Sequence, residues 1–181
     1  MSYPIVITGT QIQSDYAVTD TASLAYIKNK PGNLALDLQD RSASIALPTV
    51  PTIIKPPITA VSSGITYDPL TGIVTLPEER VYSTFTILNC ETTSNRNIYT
   101  YAEVNIGSGW VISTYSGRVI QIQPQLDWQV LTVSRNFFPA GTQLRFPFYA
   151  SNTGVNLVSI NLPGTTPGTV IAPAFRLLIA A

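Results

Sequence analysis

From residue 61 onward, apolar and polar residues alternate in short runs broken by Gly, Pro, Asn and Asp. That period-two pattern predicts half-buried strands joined by turns. Ile65-Thr-Tyr67 and Ile73-Val-Thr-Leu76 flank Asp68-Pro-Leu-Thr-Gly72. Asp opens that turn, Pro69 presets its backbone angle and Gly72 accepts a positive φ. Further strands are predicted at 81–89, 97–106, 110–115, 117–123, 128–134, 143–150, 155–161 and 170–180. Eight to ten strands in about 120 residues suit an antiparallel jelly-roll β-sandwich better than a seven-stranded immunoglobulin-like one.

The first third reads differently. Ile5-Val-Ile-Thr is a short strand candidate, and Asp20 is an N-cap for a single helical turn over 21–26. Leu34, Leu36 and Leu38 alternate with Ala35 and Asp37, the pattern of a strand with one buried face. Large apolar residues are too few here for a separate core. Residues 48–57 then hold Pro48, Pro51, Pro56 and Pro57, a stiff spacer. All three lysines, Lys28, Lys30 and Lys55, precede residue 56. The expected organisation is an extended N-terminal arm over 1–47, a Pro-rich linker over 48–60 and a jelly roll over 61–181.

Two predicted strands are apolar on both faces. Between Asn97 and Ile106, the even positions Ile98, Thr100, Ala102, Val104 and Ile106 make an inner face, while Tyr99, Tyr101 and Glu103 point outward. In the last strand Phe175, Leu177 and Ile179 share one face, and Leu178 lies opposite with Arg176. A sheet apolar on both faces needs a second layer beyond it. In a chain this short another subunit is the simplest such layer, and Tyr99, Tyr101, Phe175 and Leu177 are the residues expected to meet it.

Composition agrees with the strand pattern and removes much chemistry. Thr (22), Ile (19) and Val (14) make up 55 of 181 residues, and their branched Cβ groups suit a pleated surface. Only 11% of residues are charged, and ten basic side chains balance ten acidic ones. A neutral chain lacks the electrostatic footprint of a nucleic-acid binder. Without histidine there is no Ser-His-Asp, Cys-His or His-metal site. One cysteine, Cys90, permits neither an internal disulfide nor a zinc cluster, and it reads as a small core residue. No signal peptide is visible, and the apolar end Ala174–Ala181 is too short to span a bilayer and carries Arg176. A soluble protein with no membrane contact is expected.

Glycoside hydrolysis needs two carboxylates roughly 5 to 10 Å apart across a cleft. Asp68, Glu78, Glu79, Glu91, Glu103 and Asp127 show no paired spacing, and residues 128–181 contain no acid. Glu78-Glu79 reads as a solvated loop, Asp37 and Asp40 as surface charges, and Gly107-Ser-Gly109 as a hairpin turn before Trp110. No catalytic residue, metal ligand or cofactor site is predicted, so the chain is not expected to be an enzyme. Trp110, Trp128, Tyr99 and Tyr101 have the alternative of stacking sugar rings, against packing in a core or a subunit interface.

Residues 15–31 read Asp-Tyr-Ala-Val-Thr-Asp-Thr-Ala-Ser-Leu-Ala-Tyr-Ile-Lys-Asn-Lys-Pro. This segment resembles a motif of phage tail-fibre, head-fibre and related virion proteins, matching at Asp15, Thr19, Asp20, Tyr26, Ile27, Lys28, Asn29, Lys30 and Pro31. It departs at Tyr16, where the family has Trp, and at Ala17-Val18, where it has polar residues. The resemblance implies a virion context, with Tyr26, Ile27, Lys28, Asn29, Lys30 and Pro31 docking on an acidic, partly apolar capsid surface. Residues 65–77, with Val81-Tyr82 and the closing Ala174-Phe-Arg-Leu-Leu-Ile179, are similar to the tumour-necrosis-factor-like jelly rolls of phage and bacterial trimers. Glu78-Glu-Arg80 stands where those proteins have a glycine. That resemblance implies a homotrimer with its aromatic outer faces at the threefold axis.

The expected protein is therefore a phage structural component made in the host cytoplasm and carried on the outer surface of the capsid. It decorates or cements the head, or forms a short head fibre, its partners being its own copies and the major capsid protein. The alternative is a tail-associated receptor-binding module that recognises host glycan.

Overall fold

The computed structural model describes residues 34–113, 118–124, 128–161 and 170–181. Those residues form strands and turns throughout, with no helix among them, so the expected all-β antiparallel class is what is observed. Four strands precede residue 64: β1 (Ala35–Asp40), β2 (Ser44–Ala46), β3 (Thr52–Ile53) and β4 (Ile58–Ser63). A hairpin of β5 (Thr66–Asp68) and β6 (Ile73–Thr75) follows. Asp68 organises its turn: its Oδ1 accepts from the Leu70 amide at 2.9 Å and its Oδ2 from the Thr71 hydroxyl at 2.5 Å. Gly72 closes the turn at φ +75°, where a Cβ would sit 2.5 Å from the Ile53 side chain, so both backbone angle and space require glycine.

Next comes β7 (Arg80–Thr92), the longest strand, then β8 (Arg96–Thr100), β9 (Glu103–Asn105), β10 (Trp110–Ile112) and β11 (Arg118–Ile122). The chain continues through β12 (Trp128–Phe138), β13 (Gln143–Arg145), β14 (Pro147–Ala150) and β15 (Val155–Val158). It ends with β16 (Ile160–Asn161), β17 (Val170–Ala172) and β18 (Phe175–Ala180).

A seven-stranded sheet runs β2-β15-β7-β18-β1-β4, with β12 also paired to β7. The opposing layer consists of a five-stranded sheet, β10-β9-β13-β6-β5, and a four-stranded sheet, β11-β8-β14-β3. Every pairing in these three sheets is antiparallel. The core lies between the layers. Leu36 and Leu38 of β1, Tyr82 and Leu88 of β7, and Phe175, Leu177 and Ile179 of β18 are buried there with Val74, Ile98, Leu144 and Phe148 of the other layer. Each such side chain contributes about 1.5–3 kcal/mol by leaving water. Phe148 and Phe175 meet edge-on with ring centres 5.2 Å apart, joining the layers.

Two expectations are corrected here. Residues 34–47 are not part of a separate arm. β1 sits between β18 and β4, paired residue for residue from Ala35↔Ala180 to Asp40↔Phe175. The leucines that alternate over 34–38 have a buried face because the last strand of the same chain supplies their neighbour. Nor is 48–60 a free spacer: β3 pairs with β14, the Pro48 carbonyl accepts from the Ala150 amide at 2.8 Å, and Pro56 is buried. Proline lacks an amide donor but keeps its carbonyl, so it is compatible with an edge position. The described residues belong to one compact unit. The strand expected at 5–8, the helical turn at 21–26 and the attachment residues 26–31 lie outside the described residues.

Some predicted strands are divided. The run 97–106 breaks at Tyr101-Ala102 into β8 and β9, and 143–150 breaks at Phe146 into β13 and β14. Each pair of halves belongs to two different sheets, so the layer bends across these points. The last run splits at Pro173-Ala174, where Asn89 reaches over: its Nδ2 donates to the Pro173 carbonyl at 2.6 Å and its backbone amide to the Ala174 carbonyl at 3.1 Å.

Candidate self-association surface

Alternation on β7 places Tyr82, Thr84, Thr86 and Leu88 inward and Val81, Phe85 and Ile87 outward. Register then assembles one row across the outer face of the seven-stranded sheet: Val133, Phe85, Leu178, Asp37 and Val61, from β12, β7, β18, β1 and β4. Phe137 stands opposite Val81 further along the same face. Val81 is 41% exposed, Val133 46%, Val61 48% and Phe137 58%. A contiguous apolar patch on an outer sheet face is the usual mark of a contact surface.

A polar network interrupts this patch. Arg176 grips Asp37 with two parallel bonds, Nε to Oδ1 at 3.0 Å and Nη2 to Oδ2 at 2.8 Å. Gln39 Nε2 also donates to Asp37 Oδ2 at 3.1 Å, and Arg41 donates twice to Gln39 Oε1, at 3.0 and 2.8 Å. Hydrogen bonding to Asp37 pushes the Arg176 guanidinium above its ordinary pKa. Asp37 and Gln39 are buried, so the network is satisfied in place and gives the apolar face one directional feature.

The opposing layer has an outer face of another kind. Tyr99 stacks on Tyr149 with ring centres 4.6 Å apart and planes 11° apart. Arg145 lies over the Trp110 ring, 4.1 Å from its centre, and also pairs with Glu103. The Tyr101 phenol is pushed up by burial, then by Glu103 and Tyr149, against a smaller opposing effect of Arg145. Between the layers Thr84, Thr86, Thr100, Thr132 and Ser134 line a cavity of about 10 Å³, room for a single water. Thr84 Oγ1 and Ser134 Oγ share a 2.5 Å hydrogen bond across it.

The sequence matches no family model and no curated protein. Solved structures do match the fold. A tumour necrosis factor, Eiger from S. frugiperda, superposes with a TM-score of 0.56 at 10% identity, over 82% of this chain and 92% of that one. The globular domain of the zebrafish complement 1qA protein gives 0.53 at 7% identity, over 82% and 95%. The fold is a tumour-necrosis-factor-like and C1q-like jelly roll.

Within this jelly roll the four residues expected at a subunit contact divide. Phe175 and Leu177, 1% and 3% exposed, belong to the chain's own core. Of the two faces of β18, the one with three large side chains turned inward, and the outer face kept Arg176 and Leu178. Tyr99 and Tyr101 are half-buried on the outer side of the opposite layer, so they do not share a surface with Leu178. The outer face of the seven-stranded sheet instead presents Val81, Phe85, Val133 and Phe137, which sequence reasoning did not single out. Their signal was present in β7, where apolar residues recur on both faces.

The other candidates stay apart. Cys90 is buried, and burial pushes its thiol up to about 12, so it stays protonated and unreactive at neutral pH. Glu78 and Glu79 are exposed in the turn before β7, where the Glu78 carbonyl accepts the Tyr82 hydroxyl at 3.0 Å. Among the described residues no three acids or cysteines gather into a metal site.

Proposed function

We propose that the chain is a phage virion structural protein that decorates or cements the head, or forms a short head fibre, as a homotrimer. The observation that carries self-association is the row Val133, Phe85, Leu178 and Val61 on the outer face of the seven-stranded sheet. Its side chains leave water only against another molecule. The virion assignment rests on the segment ending Tyr26-Ile-Lys-Asn-Lys-Pro31. Three such segments on one trimer raise the effective concentration of each at the shell, so individually weak contacts give durable attachment. No bond is made or broken in this function.

The test is a binding assay on shells of the phage that encodes the chain, stripped of it. The wild type is expected to sediment as three chains and to saturate the shell. Replacing Tyr26, Lys28 and Lys30 together by Ala should leave the trimer intact and abolish shell binding. A monomer in solution overturns the trimer. Retention on tails instead of heads favours the receptor-binding alternative and overturns head decoration.

A further inference from the structure

We infer that the outer face of the five-stranded sheet binds an uncharged oligosaccharide, seated in a groove over β5, β6 and β13. This site uses the layer opposite the proposed self-association surface and depends on neither the trimer nor the virion reading. The groove has a volume of about 230 Å³ and is lined by Thr66, Asp68, Thr71, Thr75 and Gln143 around Tyr67 and Ile73. Register extends it into a row across all five strands: Trp110, Asn105, Gln143, Thr75 and Thr66. At a strand spacing of about 4.8 Å the row is about 19 Å long, enough for several sugar rings end to end.

The chemistry of the row selects the ligand. Hydroxyls and carboxamides both donate and accept hydrogen bonds, as every ring of a sugar chain does. The carboxamides are oriented in series. Asn105 Oδ1 accepts from the Gly107 and Gly109 amides at 2.9 and 3.2 Å, and its Nδ2 donates to Gln143 Oε1 at 3.2 Å. That chain leaves the Gln143 amide nitrogen as the donor its side chain offers to the groove. Trp110, held under Arg145, supplies the apolar surface at one end of the row. The turn from Asp68 to Thr71 closes the other end.

Charge narrows the class further. Arg145 and Glu103 neutralise one another, and Lys55, whose Nζ donates to the Leu70 carbonyl at 2.6 Å, stands beside Asp68, so the groove carries no net charge. Hydrogen bonds to Thr71 and Leu70 keep the Asp68 carboxyl below the ordinary carboxylate range, so it is ionised at neutral pH. A sulfated or uronic chain would lose hydration of its charges there with no net positive field to replace it.

The test is calorimetric titration and saturation-transfer NMR of the full chain with neutral tetrasaccharides of glucose, galactose, mannose and N-acetylglucosamine, and with tetragalacturonate. At least one neutral probe is expected to bind and tetragalacturonate to bind more weakly. The Thr66→Val/Thr75→Val variant, which keeps the branched Cβ a strand favours, should weaken binding about tenfold by removing two hydroxyl contacts. Gln143→Leu, made separately, should do the same if the threonine variant fails to fold. The inference is overturned if no neutral probe binds at millimolar concentration, if tetragalacturonate binds best, or if the folded variants bind like the wild type.

Discussion

Across the seven-stranded sheet the outward residues of one row are Val133, Phe85, Leu178, Asp37 and Val61. Across the five-stranded sheet the equivalent row is Trp110, Asn105, Gln143, Thr75 and Thr66. Inward, both sheets are apolar, the first presenting Leu, Ile, Val and Phe to the common core and the second Val74, Val104 and Leu144. Inward identity is set by what one chain must hide to fold, whereas outward identity is set by what each face meets afterwards. An apolar row gains by excluding water against a flat, matching surface, and a row of amides and hydroxyls gains little from that. The second row is suited to a ligand that returns its hydrogen bonds.

This contrast can be broken at several points. The largest effect is expected from Phe175→Ala, which removes the ring that joins the two layers. A loss of about 3–5 kcal/mol is expected in denaturant unfolding. A loss below about 1 kcal/mol would show that Phe175 is not a core residue of its own chain. Next, Val133→Glu with Phe137→Glu should convert the proposed trimer to a folded monomer in sedimentation, because two carboxylates buried at that contact would have no partner. Thr75→Glu puts a carboxylate on the opposite face and should leave the sedimenting mass unchanged. Equal effects from the two would erase the distinction between the faces.

A smaller effect belongs to the interior that both layers share. Cys90 ionises near 9 in an unfolded chain but only near about 12 in the fold, because burial disfavours the thiolate. Its contribution to stability is therefore complete below pH 9 and is lost as the pH climbs toward 12. Cys90→Ala should flatten the fall of the melting temperature over that window. A slope unchanged by the substitution would mean the thiol is open to solvent. The smallest effect is expected from Tyr99→Ala, which forfeits the stack on Tyr149, worth about 0.5–1.5 kcal/mol beyond area. It should not alter the proposed assembly, and dissociation of a trimer on this substitution would return Tyr99 to the subunit contact.

Much of the fold was legible because period-two alternation is a local property. The Asp68–Gly72 turn, the hairpin around it and the inner face of β8 and β9 follow from neighbours a few residues apart. The placement of β1 was not legible in that way. Its partners are Phe175–Ala180 and Ile58–Ser63, and alternation in Leu34, Leu36 and Leu38 reveals a buried face without saying which strand lies beside it. The same limit explains Phe175 and Leu177: a strand apolar on both faces states that two layers exist, but not which face is which. Val133 and Phe137 acquire meaning only when register lines them up with Phe85 and Val81. The prolines misled because their composition suggests a spacer, while their carbonyls remain able to dock on the sheet.

One consequence of the topology concerns timing. β18, which follows all the other described strands, lies between β1 and β7 near the middle of its sheet, and Ala35 is partnered by Ala180. Synthesis therefore delivers this central plank after both strands it must join, which wait until then with unmet backbone donors and acceptors. Contacts so distant along the chain make for slow closure. Loss of Phe175–Ala180 alone would split the sheet down its middle, so the integrity of the whole sandwich hangs on one six-residue strand.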